Sequence, residues 1–204
     1  MTVAYPFGVD LEKARQIFGS KDKALFEKIK EDSYFINYNE QNPIEDALHD
    51  IIFNYVPDSS REPAKSKLFG LVKSKDGSGL YGNWSDYFYA LLSICSVIGK
   101  DFSKNGDIFC WTNDWEKINL LLVESSSKYD LDRMSQYKKL FDTPFDDNEG
   151  CTNIYYKNEI AEFYIDFVNI ENKIDEDTLG FYNEFKIALK YCKDNQLDLI
   201  TFLC

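Results

Sequence analysis

The sequence predicts an α+β fold that is rich in helices and carries a small sheet, with a central buried helix near residues 86–98. Three observations favour this fold. Apolar residues repeat at helical spacing between capping residues and glycines. Residues 87–98 are apolar on nearly every side. Strand-like segments lie near both termini. The length of 204 residues and the hydrophobic content of 44% predict one globular domain over residues 1–204.

Three helices are predicted in the first 55 residues. Asp10 caps the first helix, and Gly19 ends it. Ser20 is the predicted cap of the second helix. Asn42 caps the third, where Glu45 is placed to return a hydrogen bond to the cap. The apolar positions of the third helix are Ile44, Leu48, Ile51, Ile52 and Tyr55.

The middle of the chain alternates loops with one strongly apolar helix. Residues 57–67 and 73–79 are polar and are predicted loops. Residues 87–98 form the predicted central helix, which ends at Gly99. Because this helix has no polar face, it is expected to be buried on all sides.

The second half predicts helices and two strands. Asp114 is the expected cap of one helix, and another is predicted from about Leu131 to Phe141. Residues 153–157 favour a strand. In residues 159–170 the apolar positions fit a strand and a helix equally well, so both alternatives stay open.

The C-terminal end predicts a helix followed by a strand. The helix is expected to start from Asp175 or Asp177, and its apolar face comprises Phe181, Phe185, Ala188, Leu189 and Cys192. Residues 197–204 (LDLITFLC) then read as a strand. Residues 3–9 (VAYPFGV) are its expected partner.

The charge is strongly acidic and unevenly distributed. The net charge is −12, of which residues 1–102 carry −3 and residues 103–204 carry −9. Binding to nucleic acid or to anionic membrane surfaces is disfavoured, because both require a surplus of Lys and Arg. A basic protein partner fits this charge better, since opposite fields accelerate encounter.

The chain is expected to be cytoplasmic. Its first 16 residues lack the basic start and apolar stretch of a signal peptide, and no membrane span is predicted. The five cysteines are odd in number and widely spaced, which predicts neither a disulfide framework nor a zinc site. No cofactor is predicted.

Two local patterns invite a chemical interpretation. Gly77, Gly79 and Gly82 match the spacing of a dinucleotide-binding loop, but no strand directly precedes them and no βαβ alternation follows. A turn is therefore the better interpretation. His49, the only histidine, lies near Glu45 and Asp50. It is a candidate general base or weak metal ligand, although a solvated helix face has the same composition.

The candidate partner-binding residues are two tryptophans and a cluster of four acidic residues within positions 142–149. The acidic cluster does not follow the ligand register of an EF-hand loop, so no metal is predicted there. Trp84 and Trp111 lie in loop-like contexts beside carboxylates, and large aromatic side chains are common anchors at protein interfaces. The acidic residues of this candidate set are Asp142, Asp146, Asp147 and Glu149.

Three stretches resemble small bacterial proteins of unknown function. They are residues 10–29, 81–102 and 185–204, which match in order but through hydrophobic and structural positions. The resemblance implies a fold and assigns no catalytic residues. In size, acidity and absence of catalytic motifs the chain is also similar in type to immunity proteins, which neutralise toxins of rival bacteria.

The leading hypothesis is a cytoplasmic protein-binding module, most specifically an immunity-type inhibitor that neutralises a basic toxin domain. One alternative is a carboxylate-based hydrolase, with or without a divalent metal, near His49 or the acidic cluster. Another is a regulatory or structural domain without chemistry. A non-enzymatic protein is favoured, and the oligomeric state is not predicted.

Overall fold

The computed structural model describes eight stretches of the chain. These are residues 2–40, 44–55, 72–73, 79–80, 84–103, 108–110, 112–132 and 151–203. The contacts divide the chain into two compact units. The first unit comprises Met1–Asp10, Gly99–Lys138 and Cys151–Cys204, and the second comprises Leu11–Ile98 and Lys139–Gly150.

The described chain contains α-helices and short strands. The α-helices are α1 (Leu11–Ile17), α2 (Lys23–Lys30), α3 (Ser33–Asn39), α4 (Ile44–His49), α5 (Trp84–Ile98), α6 (Thr112–Glu124), α7 (Lys157–Asn169) and α8 (Leu179–Asn195). The strands are β1 (Thr2–Val9), β2 (Val72–Lys73), β3 (Gly79–Leu80), β4 (Lys100–Asp101), β5 (Ile108–Cys110), β6 (Cys151–Tyr155) and β7 (Asp198–Leu203). The predicted class, helix-rich α+β with a small sheet, is confirmed. That the whole chain is one domain stays a prediction.

An antiparallel sheet organises the first unit. Its order is β4-β1-β7-β6, and β5 also pairs with β1. The predicted pairing of the two terminal strands is confirmed, with Ala4 opposite Leu203 and Val9 opposite Asp198. Strand β7 lies between β1 and β6, and all six of its residues are buried. The two terminal strands, β1 and β7, are therefore the interior strands of this sheet.

Helices α7 and α8 pack against each other and against β7. The open choice for residues 159–170 is settled in favour of a helix, because Phe163 and Phe167 are buried while Ile165 is 58% exposed. A strand would have placed these three side chains on one face. Helix α8 starts at Leu179, and the carboxylate of Asp175 accepts the backbone N–H of Thr178 just before it, at 2.8 Å.

Helix α6 contributes its inner side to the same core. Trp115, Ile118 and Leu122 are buried there with side chains from α7, α8 and β7. The helix begins at Thr112, so Asp114 lies in its first turn and is not its cap, which corrects the prediction. The helix predicted from about Leu131 to Phe141 lies almost wholly outside the described residues.

Helix α5 is the centre of the second unit, as predicted. It contacts α1, α2, α3 and α4. Its buried apolar residues include members from every side of the helix, which are Tyr87, Phe88, Ala90, Leu91, Leu92, Ile94 and Cys95. A helix surrounded by neighbours needs an apolar surface all round, which explains the composition of this segment.

Two helix starts in the second unit differ from the predictions. The cap of α2 is Asp22, whose carboxylate accepts the N–H of Leu25 at 3.0 Å. The predicted cap, Ser20, instead accepts the N–H of Asp22. Helix α3 was not predicted. It starts after Asp32, whose carboxylate accepts the N–H of Tyr34.

Helix α4 continues directly into a π-helical turn, Asp50–Asn54. The helical segment ends at Asn54, one residue before the last predicted apolar position, Tyr55, and its last turn is widened. The predicted cap Asn42 lies outside the described residues.

Gly79 of the glycine pattern lies in β3, which pairs antiparallel with β2, whereas a dinucleotide-binding loop leads from a strand into a helix. Gly77 and Gly82 lie outside the described residues.

Gly19 has a conformation that other residues adopt at a cost. Its φ is +72°, and an added Cβ would lie 2.3 Å from the carbonyl oxygen of Tyr55. Gly19→Ala is therefore expected to lower the free energy of unfolding by about 2 kcal/mol or more, measured by urea denaturation. The control is Gly180→Ala, since Gly180 lies in α8 with open space around it and alanine favours helices. A Gly19→Ala protein as stable as the wild type would contradict this assignment.

None of the helices in the described ranges combines the length and the apolar character that a membrane span requires.

Candidate functional site

The predicted partner-binding residues fall where the structure gives no side chains. Trp111 and the acidic residues of the cluster at 142–149 lie outside the described residues. Trp84 is the first residue of α5, and its side chain is not described. The surface built from these six residues therefore stays a prediction.

The exposed imidazole of His49 packs among aromatic rings. It lies edge-on to Phe26, with ring centroids 6.0 Å apart, and 4.7 Å from the ring of Phe53. The nearby carboxylate of Glu45 instead accepts the ammonium of Lys30 at 2.6 Å. This arrangement is an aromatic contact on a helix face, and Glu45 does not orient the imidazole for proton transfer.

The carboxylate of Asp50 holds the π-helical turn. It accepts hydrogen bonds from the amide of Asn54 at 2.5 Å and from the hydroxyl of Tyr87 at 3.2 Å. Burial, followed by the charge of Asp50, raises the pKa of Tyr87 far above its usual range. The Tyr87 hydroxyl therefore stays protonated and serves as a donor that ties α5 to the turn.

Metal and thiol chemistry find no support in the part of the chain that the structure describes. No three of its His, Cys, Asp and Glu side chains are grouped so that they could hold a metal ion. The thiols of Cys95 and Cys192 are free and buried. Burial raises the pKa of each to about 12, which leaves both neutral and poorly nucleophilic at pH 7.

The lysines of the first unit are largely neutralised by neighbouring carboxylates. Six of them form ion pairs, which are Lys117–Asp175, Lys128–Glu162, Lys173–Glu124, Lys186–Glu171, Lys190–Asp194 and Lys193–Asp194. Exposed pairs of this kind contribute little to stability. Because these lysines are paired, the remaining carboxylates of residues 103–204 make the electrostatic potential of this part of the chain negative.

The outer side of α6 presents two apolar side chains to solvent. Leu120 is 65% exposed and Val123 is 67% exposed, while Ile118 and Leu122 on the inner side are fully buried. The acidic residues Glu116 and Glu124 lie on the same outer side of the helix and are exposed. The exposed side chains of Leu120 and Val123 therefore lie between two carboxylates on the outer side of α6.

The segment that follows α7 lies alongside α6 and adds further acids. The ammonium of Lys117 lies 2.9 Å from Asp175, and that of Lys173 lies 4.0 Å from Glu124. We call the combined region the α6 surface. It comprises Glu116, Lys117, Leu120, Val123, Glu124, Lys173, Asp175, Glu176 and Asp177, which are all exposed.

The α6 surface is acidic despite its two lysines. It holds five carboxylates, and both lysines are already paired with two of them. The carboxylates of Glu116, Glu176 and Asp177 make no ion pair or hydrogen bond with other described residues. The α6 surface therefore has an apolar centre and an anionic border.

Asp175 is held in its ionised form. Hydrogen bonding from Thr178 and from the ammonium of Lys117 lowers the pKa of Asp175 to about 2. Because this value lies below that of an unfolded chain, the associated stabilisation is present above pH ~4 and is lost as the pH falls through about 2. An NMR titration of the carboxyl carbon is expected to show this midpoint. Lys117→Gln should raise the titration midpoint of Asp175. A midpoint near 4 in the wild type would contradict the contacts of Asp175 with Lys117 and Thr178.

Sequence reasoning missed the α6 surface, although a signal was present. The run LLLV at residues 120–123 places four apolar residues in one helical turn, and a helix that packs on one side cannot bury all four. Glu116 and Glu124 on either side of that run mark its exposed side.

A comparison with known proteins adds no relative, since no family model, curated protein or solved structure matches the chain.

Proposed function

We propose that this protein is a cytoplasmic protein-binding module of the immunity type, which neutralises a basic toxin domain by covering it. The observation that carries the proposal is the charge. The chain has a net charge of −12, and the excess of acids is greatest in residues 103–204. Six described lysines of the first unit form ion pairs, so that the surplus carboxylates remain to attract a cationic surface.

Charge complementarity favours a protein as the partner. Nucleic acid and anionic lipid carry the same sign as this chain and are repelled at a distance. A toxin that acts on nucleic acid needs a positive groove for its substrate, and an acidic protein can occupy that groove. The tryptophans Trp84 and Trp111 would act as anchors within such an interface. The acidic residues Asp142, Asp146, Asp147 and Glu149 belong to the proposed contact.

An affinity capture from the source cell at low and at high salt tests this function. The tag needs a flexible linker, because the terminal strands β1 and β7 are both interior strands of the sheet. We expect one stoichiometric basic protein at low salt that is lost as salt rises, since salt screens attraction between exposed charges. Purified partner should then lose an activity of its own when this protein is added. No basic partner in either buffer would contradict the proposal.

A further inference from the structure

The α6 surface has the composition of a protein docking site. Leu120 and Val123 are more exposed than any other large apolar side chain of the described residues. They lie on a rigid helix whose inner side is fixed in the core by Trp115, Ile118 and Leu122. Exposed aliphatic residues on an ordered helix lower the cost of binding, because little conformational freedom is lost.

The acidic residues around Leu120 and Val123 favour a partner of positive charge. Glu116, Glu176 and Asp177 are exposed and carry negative charge. The lysines of the surface do not offset them, since Lys117 and Lys173 are paired with acids. We propose that the α6 surface docks a basic protein that inserts an apolar side chain between Leu120 and Val123 and places lysine or arginine against the surrounding carboxylates. This inference rests on the proposed function and adds the α6 surface to the contact proposed there.

Other occupants fit this surface less well. A second copy of the chain would bring the same carboxylates against one another in a two-fold interface, and like charges oppose association. A small cationic ligand would leave the aliphatic side chains exposed on a convex helix. A basic polypeptide satisfies both the apolar centre and the anionic border.

Helix α8 provides a matched control. Ile187 is 53% exposed, which is close to the value for Leu120. Its neighbours on α8 include Lys186 and Lys190, which pair with Glu171 and Asp194, so these charges balance. The α6 surface, by contrast, carries three more carboxylates than lysines. A partner that needs both an apolar contact and an acidic border should distinguish these two positions.

The test is an NMR titration of the full-length, ¹⁵N-labelled chain with a synthetic peptide of alternating lysine and leucine. We expect the largest shifts at the amides of residues 116–124 and 175–177. The Leu120→Gln, Val123→Gln double variant should weaken binding by about tenfold, and Ile187→Gln should leave it unchanged. A peptide of alternating glutamate and leucine should not bind. Shifts centred elsewhere, or equal affinity for the double variant and the wild type, would overturn the assignment.

The same variants separate this inference from the proposed function. If a captured basic partner binds the double variant as tightly as the wild type, the docking surface is wrong although the function stands. If no basic partner is captured, the proposed function fails, and the peptide titration still decides whether the α6 surface recognises a basic, apolar ligand.

Discussion

A chain that ends after Asn195 is expected not to fold. This truncation removes β7, which lies between β1 and β6 and leaves both without their shared partner. The apolar residues lost are Leu199, Ile200, Phe202 and Leu203, each nearly or fully buried. Loss of one such side chain costs about 2–5 kcal/mol, so four together reach the ~5–15 kcal/mol by which a domain is stable.

Circular dichroism during heating measures this effect. The truncated chain should show no cooperative transition, whereas a chain that lacks only Cys204 retains all of β7 and should melt like the wild type. A truncation after Asn195 with an unchanged melting temperature would show that β7 is not a core strand.

Phe163→Ala is expected to cause the largest loss from a single substitution, about 3–5 kcal/mol of unfolding free energy. The ring is fully buried in the first unit. It contacts four other aromatic rings, those of Tyr129, Tyr155, Phe167 and Phe185, with centroids between 5.1 and 6.3 Å away. Its removal leaves a cavity that these large, mutually packed rings cannot easily fill.

Urea denaturation compares this variant with Ile165→Ala on the same helix. Ile165 is exposed, so its loss should change the unfolding free energy by no more than about 0.5 kcal/mol. Equal effects of the two substitutions would contradict the helical assignment of residues 157–169.

The predictable part of the fold is the part that local pattern specifies. The central helix α5 and the terminal strands β1 and β7 are mainly apolar segments. The pattern in residues 159–170 was ambiguous because Phe163, Ile165 and Phe167 alternate, while Ile160, Phe163 and Phe167 repeat at helical spacing. The structure distinguishes the two alternatives, because Phe163 and Phe167 are buried while Ile165 is exposed.

Helix α3 shows what local pattern does not specify. It is only seven residues long and is stabilised through aromatic contacts with a distant part of the chain. Tyr38 stacks on Tyr89 of α5 with ring centroids 4.0 Å apart, although 51 positions separate them in the sequence. The cap Asp32 was a usable signal, but no regular apolar repeat accompanied it.

The α6 surface likewise depends on contacts between distant residues. The pair Lys117–Asp175 joins positions 58 residues apart. The sequence shows that the C-terminal half is acidic, yet it does not reveal which acids border Leu120 and Val123. Burial of the inner side of α6 and these ion pairs together define the surface.

Charge-driven binding is tested most directly by the association rate of the captured basic partner across a salt series. For the wild type, the rate should fall steeply as salt rises, because attraction between exposed charges is screened. Glu116→Lys with Asp177→Lys should slow association at low salt and reduce this dependence. An association rate that is independent of salt and unchanged by these reversals would contradict a charge-driven binding module.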